Sequence, residues 1–177
     1  MIMLNTVSLI VGLVILILMI GIILYFYLAA KHSELMDEWS VLRDKLRLRL
    51  DKLPLLLEVF RRAAPEQTAL IQDMIALKSK AWPVEKPTPD VVHKHLDLTG
   101  KIKQIFELAS KVEALKHDVV YLSAKKDLHA LDVEIDEFVD PYNLKVRKYN
   151  KLLKFPWFLP AVLVSKYKKL PIFEFES

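Results

Sequence analysis

The sequence predicts an all-α protein, in which a single N-terminal transmembrane helix continues into an antiparallel bundle of about four helices. Three observations carry that expectation. One long uncharged apolar run, Val7 to Leu28, stands near the N-terminus, and beyond it apolar residues recur at alternating steps of three and four. The chain has only three glycines; Gly12 and Gly21 are inside the apolar run, so Gly100 alone is left for the tight turns that hairpins use.

The apolar run is read as a membrane segment. At 1.5 Å of rise per residue it spans the roughly 30 Å hydrocarbon core of a bilayer. Tyr25, Phe26 and Tyr27 close it, at the depth where amphipathic rings settle, and Lys31 and His32 follow. A buried core helix seldom runs to this length. A cleaved signal peptide is opposed by three features: no basic residue in Met1 to Thr6, an apolar core longer than usual, and Leu28 where cleavage after Ala30 would want a small residue. The basic bias lies on the C-terminal flank, at Lys31, Arg43, Lys45, Arg47 and Arg49. That bias puts the N-terminus outside and the C-terminal mass in the cytoplasm.

From Leu35 a heptad-like seam continues the same helix through Trp39, Leu42, Leu46, Leu53, Leu56 and Phe60, with Arg49 filling one slot. The first helix should reach about Arg62, with a kink or a stop at Pro54. Pro65 and Glu66 read as the first turn of a second helix, with Leu70, Met74 and Leu77 inward. The stretch Pro83 to Pro89 reads as a stiff exposed connector. Its PxxP-like spacing suggests an adaptor ligand less readily than a plain loop. Asp90 is expected to cap a third helix with the seam Val91, Leu98, Ile102, Ile105, Ala109 and Val112, with a break near Glu113 to Asp118. A fourth helix carries Tyr121, Leu128, Leu131, Ile135, Phe138, Tyr142, Tyr149 and Leu152, interrupted at Lys145, and is either continuous or divided at Asp140 and Pro141.

The chain thus divides into an anchor at 1–30, a helical bundle domain at 31–154 and a proline-rich, aromatic and basic tail at 155–177. From Pro141 to Phe173 there are eight lysines or arginines and no acid. Four helices with short links fold up, down, up, down, so the fourth returns to the membrane and brings the tail with it. Lys151, Lys154, Trp157, Phe158, Lys166, Lys168 and Lys169 are therefore membrane-surface candidates, expected to meet anionic lipid in the bilayer. The rival expectation is that Phe155 to Val164 folds back as core. A basic tail with Trp157 also evokes nucleic acid, but lipid beside the anchor explains the same residues, and no nucleic-acid partner is expected.

Little in the sequence points to catalysis. The chain has no cysteine, which excludes disulfides, thiolate metal sites and thiol nucleophiles. No phosphate loop, nucleophile elbow or HExxH motif occurs. His93 and His95 are two apart, on different helix faces, and are read as surface histidines; His32, His117 and His129 lack partners in sequence. Asp132, Glu134, Asp136 and Glu137 read as a solvated acidic face. No catalytic residue, metal or cofactor is therefore assigned. The sharper features are polar residues in the seams. A guanidinium at Arg49 would need a buried partner, with Asp132 or Asp136 in reach. Asn143 and Asn150, one heptad apart, share a face and are read as setting helix pairing.

In order and spacing, these blocks resemble the LemA family of bacterial membrane proteins. The first is Trp39, Leu46, Arg49, Leu53, Pro54, Leu56 and Glu58. The second is Tyr142, Asn143, Val146, Tyr149 and Asn150, similar to the family's doubled tyrosine-asparagine pair. Phe155 and Pro156 follow, then Pro171, Phe173 and Glu174. The sequence departs from the family pattern at Ser33 and Glu34, where an asparagine-arginine pair is usual, and at Val139 to Pro141, where arginines are usual. The resemblance implies an integral membrane protein of the bacterial envelope without established enzyme activity. Trp39, Arg49, Pro54, Glu58, Tyr142, Asn143, Tyr149 and Asn150 become the structural or interaction candidates.

The expected function is that of a non-enzymatic, membrane-anchored interaction or scaffold protein in the bacterial cytoplasmic membrane, with a protein partner or a second copy of itself. The alternative is a ligand-binding sensor bundle displayed outside the membrane.

Overall fold

The structure, a computed structural model, describes residues 2–82, 85–165 and 167–173; Lys166 and Glu174 lie outside them. Its spine is α1 (Ile2–Ala63), a single helix of 62 residues, roughly 90 Å long at 1.5 Å per residue. The helix continues through Pro54 rather than stopping there. Pro54 lies on the exposed side of the helix, and its missing N–H removes the helical bond to the Leu50 carbonyl without ending the helix.

The two halves of α1 have opposite surroundings. From Val7 to Ile23 the large apolar side chains are 46–68% exposed, and this stretch is long and apolar enough to cross a membrane. From Leu28 onward one face is buried, through Leu35, Trp39, Leu42, Leu46, Arg49, Leu53, Leu56 and Phe60. The steps of three and four keep these residues on one stripe, as the sequence implied.

A 3-10 turn at Pro65–Gln67 leads into α2 (Thr68–Lys80), which buries Ile71 and Met74. The third helix, α3 (Pro89–Ala109), is capped by Thr88 rather than Asp90: the Thr88 hydroxyl accepts from the Val91 N–H at 3.3 Å, and Pro89 takes the first helical position. Proline at that position loses only a donor that would be orphaned, which moves the cap one residue before it. Pro87 is buried, so the connector is not wholly exposed; Pro83 and Val84 lie outside the described residues. A short α4 (Glu113–Lys116) fills the expected break. Asp118 then caps α5 (Val119–Leu152), its carboxylate accepting from the Tyr121 N–H at 2.8 Å. The α5 helix is continuous through Pro141, which is exposed like Pro54. After a 3-10 turn at Pro156–Phe158 comes α6 (Leu159–Ser165), and residues 167–173 follow without regular structure.

Antiparallel α1 and α5 form the main contact of the bundle, and a ladder of ion pairs marks their register. Lys145 pairs with Glu34 (3.2 Å) and Glu38, Lys45 with Glu134, Arg49 with Asp132 (2.6 Å) and Lys52 with Asp127 (3.0 Å). The exposed members of such a ladder each contribute little stability, though their order along two helices fits one alignment. Lys145 belongs to this ladder and does not interrupt the α5 seam. Val139 and Val146 hold the seam positions on either side of Tyr142 instead.

The core has two apolar clusters. The distal one joins Leu50 to Ala64 of α1 with α2, the later part of α3, Leu115, and Tyr121 to Leu128 of α5. The anchor-proximal one joins Leu28 to Leu46 with Val91, Val92, Ile135 to Leu153, Phe158, Ala161 and Phe173. Buried polar side chains lie at the junction between them.

Candidate functional site

That junction is a polar layer built by three helices. Arg49 of α1 is fully buried; its Nε lies 2.6 Å from Asp132 Oδ1 of α5, and its Nη1 donates to Thr99 Oγ1 of α3 at 3.1 Å. The Thr99 hydroxyl also donates to the His95 carbonyl at 2.9 Å. Burial pushes the Asp132 carboxyl up, against the downward pull of Arg49. Asp132 therefore does not belong to a solvated acidic face.

His95 overturns the expectation of two surface histidines. His93 is exposed, whereas His95 is fully buried, 6.0 Å from the Phe173 ring between centroids. Among the described residues, neither of its ring nitrogens meets a partner with full hydrogen-bond geometry. Burial first and nearby Arg49 second lower its pKa to about 3, with the Ala81 backbone pulling the other way. The signal was in the sequence: position 95 falls between Val91 and Leu98, at the seam's own four-and-three spacing.

The paired asparagines do not set helix pairing. They hold the C-terminal segment. Asn143 Nδ2 donates to the Phe173 carbonyl (2.6 Å), and its Oδ1 accepts the Phe173 N–H (2.8 Å). Asn150 does the same for Leu170, at 2.8 Å and 3.0 Å. One heptad of helix climbs about 10.5 Å, close to the rise of three residues of extended chain, so the two amides can clasp residues three apart. The Tyr142 hydroxyl donates to the Pro171 carbonyl at 3.3 Å, while its ring packs on Trp39 (5.9 Å). Burial raises the Tyr142 and Tyr149 phenols. His32 lies against Tyr149 (5.8 Å) and stacks on Tyr167 of the returning tail at 4.6 Å. Pro54 and Glu58 stand apart from this arrangement: both are exposed, and Glu58 faces Arg62 at 3.6 Å.

Where the apolar half of α1 meets the bundle, the tail folds beside it. Phe158 is buried near Tyr27 (6.1 Å between rings), and Pro160 and Ala161 of α6 border a cleft with Ile17, Leu18, Gly21 and Ile22. The segment Phe155 to Ser165 carries no charge. Of the two aromatic surface candidates, Trp157 is 71% exposed and Phe158 is not. Lys151, Lys154, Lys168 and Lys169 are all exposed. Between α1 and α5 at this end lies a cavity of about 580 Å³, lined by four lysines and by Leu35, Tyr149, Leu152, Phe155 and Phe158 among others.

Among the described residues, no three His, Asp or Glu side chains gather as a metal site. The sequence profile of the LemA family matches residues 38–177. The chain belongs to the LemA family. No curated protein matches it. Within this LemA domain, parts of the blocks that suggested the family come together in space: Trp39 packs on Tyr142, and Tyr142 and Asn143 hold Pro171 and Phe173. The Asn clamp rests on the extended tail, which has no periodicity for sequence reading to follow.

Proposed function

We propose that this LemA-family chain is a non-enzymatic, single-pass protein of the bacterial cytoplasmic membrane, with its N-terminus outside. Its helical domain stands on the cytoplasmic side as an interaction or scaffold module. One observation carries the reading: α1 is unbroken from its exposed apolar half into the center of the bundle, where Leu28 and Leu35 are already core. Cleaving the apolar half near Ala30 would strip Leu28, Tyr25 and Leu24 from that core. Lys31 and the arginines beyond it support the cytoplasmic placement. The buried polar groups support a structural rather than chemical role, since Arg49, Asp132, Asn143 and Asn150 are engaged in joining helices and holding the tail.

The test is alkaline carbonate extraction of membranes carrying the full chain, followed by purification in mild detergent with a size measurement. Retention in the pellet, and an assembly larger than one chain, are expected. Release by carbonate, or a bare monomer, would contradict the anchored interaction module.

A further inference from the structure

The cavity at the junction of anchor and bundle combines features that the scaffold reading does not use. Four lysines line it, Lys31, Lys145, Lys148 and Lys151, against one carboxylate, Glu34. Glu34 is already engaged: Lys31 lies 2.8 Å from it and Lys145 3.2 Å, and both hold its carboxyl below the usual range. Lys148 and Lys151 have no ion pair among the described residues. They are three apart on α5, neighbours on one helix face, and both line the cavity. The rest of the lining is largely apolar and aromatic, with Leu152, Phe155 and Phe158, and it includes Tyr27 at the close of the apolar run. Phe155 is half exposed, and on the same uncharged segment Leu163 is 79% exposed.

A soluble anion would leave those walls in water, and an apolar ligand would leave the two lysines without a counter-charge. One class of molecule satisfies both at this depth. We propose that the cavity is a binding site for a single acidic phospholipid of the adjoining leaflet. Its phosphate sits between Lys148 and Lys151, and its acyl chains run along Leu152, Phe155 and Phe158 toward the hydrocarbon beside α1. The proposal deepens the membrane-anchored reading and rests on it. Snorkelling lysines beside an apolar lining favour this arrangement, because the ammonium stays at headgroup level while its stem covers hydrocarbon.

The experiment uses the full chain, purified in mild detergent and examined by native mass spectrometry with added dioleoyl phosphatidylglycerol or dioleoyl phosphatidylcholine. One retained phosphatidylglycerol per chain is expected, in preference to phosphatidylcholine. At the energy of a lysine near an anionic surface, Lys148→Gln with Lys151→Gln should weaken retention about thirtyfold. Lys168→Gln with Lys169→Gln removes the same charge outside the cavity and should leave retention unchanged. Phe155→Ala, which keeps every charge, should also weaken retention if the walls hold the chains. Equal loss in the two lysine pairs would overturn the site in favor of diffuse attraction. Binding of glycerol phosphate as tight as that of the lipid would overturn the lipid in favor of a soluble anion. A chain that stays in carbonate-washed membranes yet shows no lipid preference sinks only the cavity proposal, whereas release by carbonate sinks the anchored reading beneath it.

Discussion

Arg49 and Asp132 form a buried ion pair, Nε to Oδ1 at 2.6 Å, at the level where the apolar core divides into a distal and an anchor-proximal cluster. A charge pair in a helix seam costs desolvation on both sides, and its gain is in alignment: a slide of α5 that brought Leu128 to the level of Arg49 would take Asp132 away from the guanidinium.

Arg49→Ala should therefore cost about 3 to 5 kcal/mol, because it strands the Asp132 carboxylate. Replacing both, Arg49→Met with Asp132→Leu, should recover most of that loss. Chemical denaturation of the full chain in detergent reads both. A single variant with an unchanged midpoint would mean that the pair contributes nothing to holding the helices.

His95 gives the fold an acid-sensitive point. Its imidazole is lowered to about 3 in the folded chain, from an ordinary 6.5. Between those values the unfolded chain takes up a proton that the folded chain refuses. Stability should be full above about pH 6.5 and fall as pH drops toward 3, by up to about 1.4 kcal/mol per pH unit. Asp132, pushed up by burial from 3.8, has the opposite slope just above that value and is not altered by a change at His95. Thermal midpoints measured from pH 7 to pH 4 should fall steeply for the native chain and less for His95→Leu; parallel curves would show that His95 takes up its proton without unfolding.

The asparagine clamp should be separable from the bundle. Each amide makes two hydrogen bonds to the tail backbone, so Asn143→Ala or Asn150→Ala should weaken tail attachment by about 2 kcal/mol. Limited proteolysis at Lys168 and Lys169 should then accelerate while the helices stay intact. Cleavage at the native rate would show that Phe173 and Tyr167 hold the segment without the amides.

Much of this was readable from spacing. The α1 seam, Arg49 included, follows from steps of three and four, and a charge in such a seam calls for a partner that a facing helix can offer. The same rule would have placed His95 inward and chosen Val146 over Lys145 as the residue between Tyr142 and Tyr149. The partner of Asn143 and Asn150 was not readable, because it is main chain: an extended segment bound through its amides leaves no pattern in side chains. Glu58 shows the reverse case. It belongs to a motif block yet is exposed beside Arg62, and Glu58→Ala should stay within about 0.5 kcal/mol of the native stability in the same denaturation series. A larger loss would give it a role that its surroundings do not explain.

The placement of the helical domain on the cytoplasmic side is tested most directly by a single introduced cysteine, since the chain has none of its own. Glu85, in the connector between α2 and α3, is exposed and suits the purpose. In intact bacterial cells, Glu85→Cys should resist a membrane-impermeant thiol reagent, and it should react readily once the membrane is permeabilized. Ready labelling of intact cells would contradict this topology and place the bundle outside, where a ligand-binding sensor would stand.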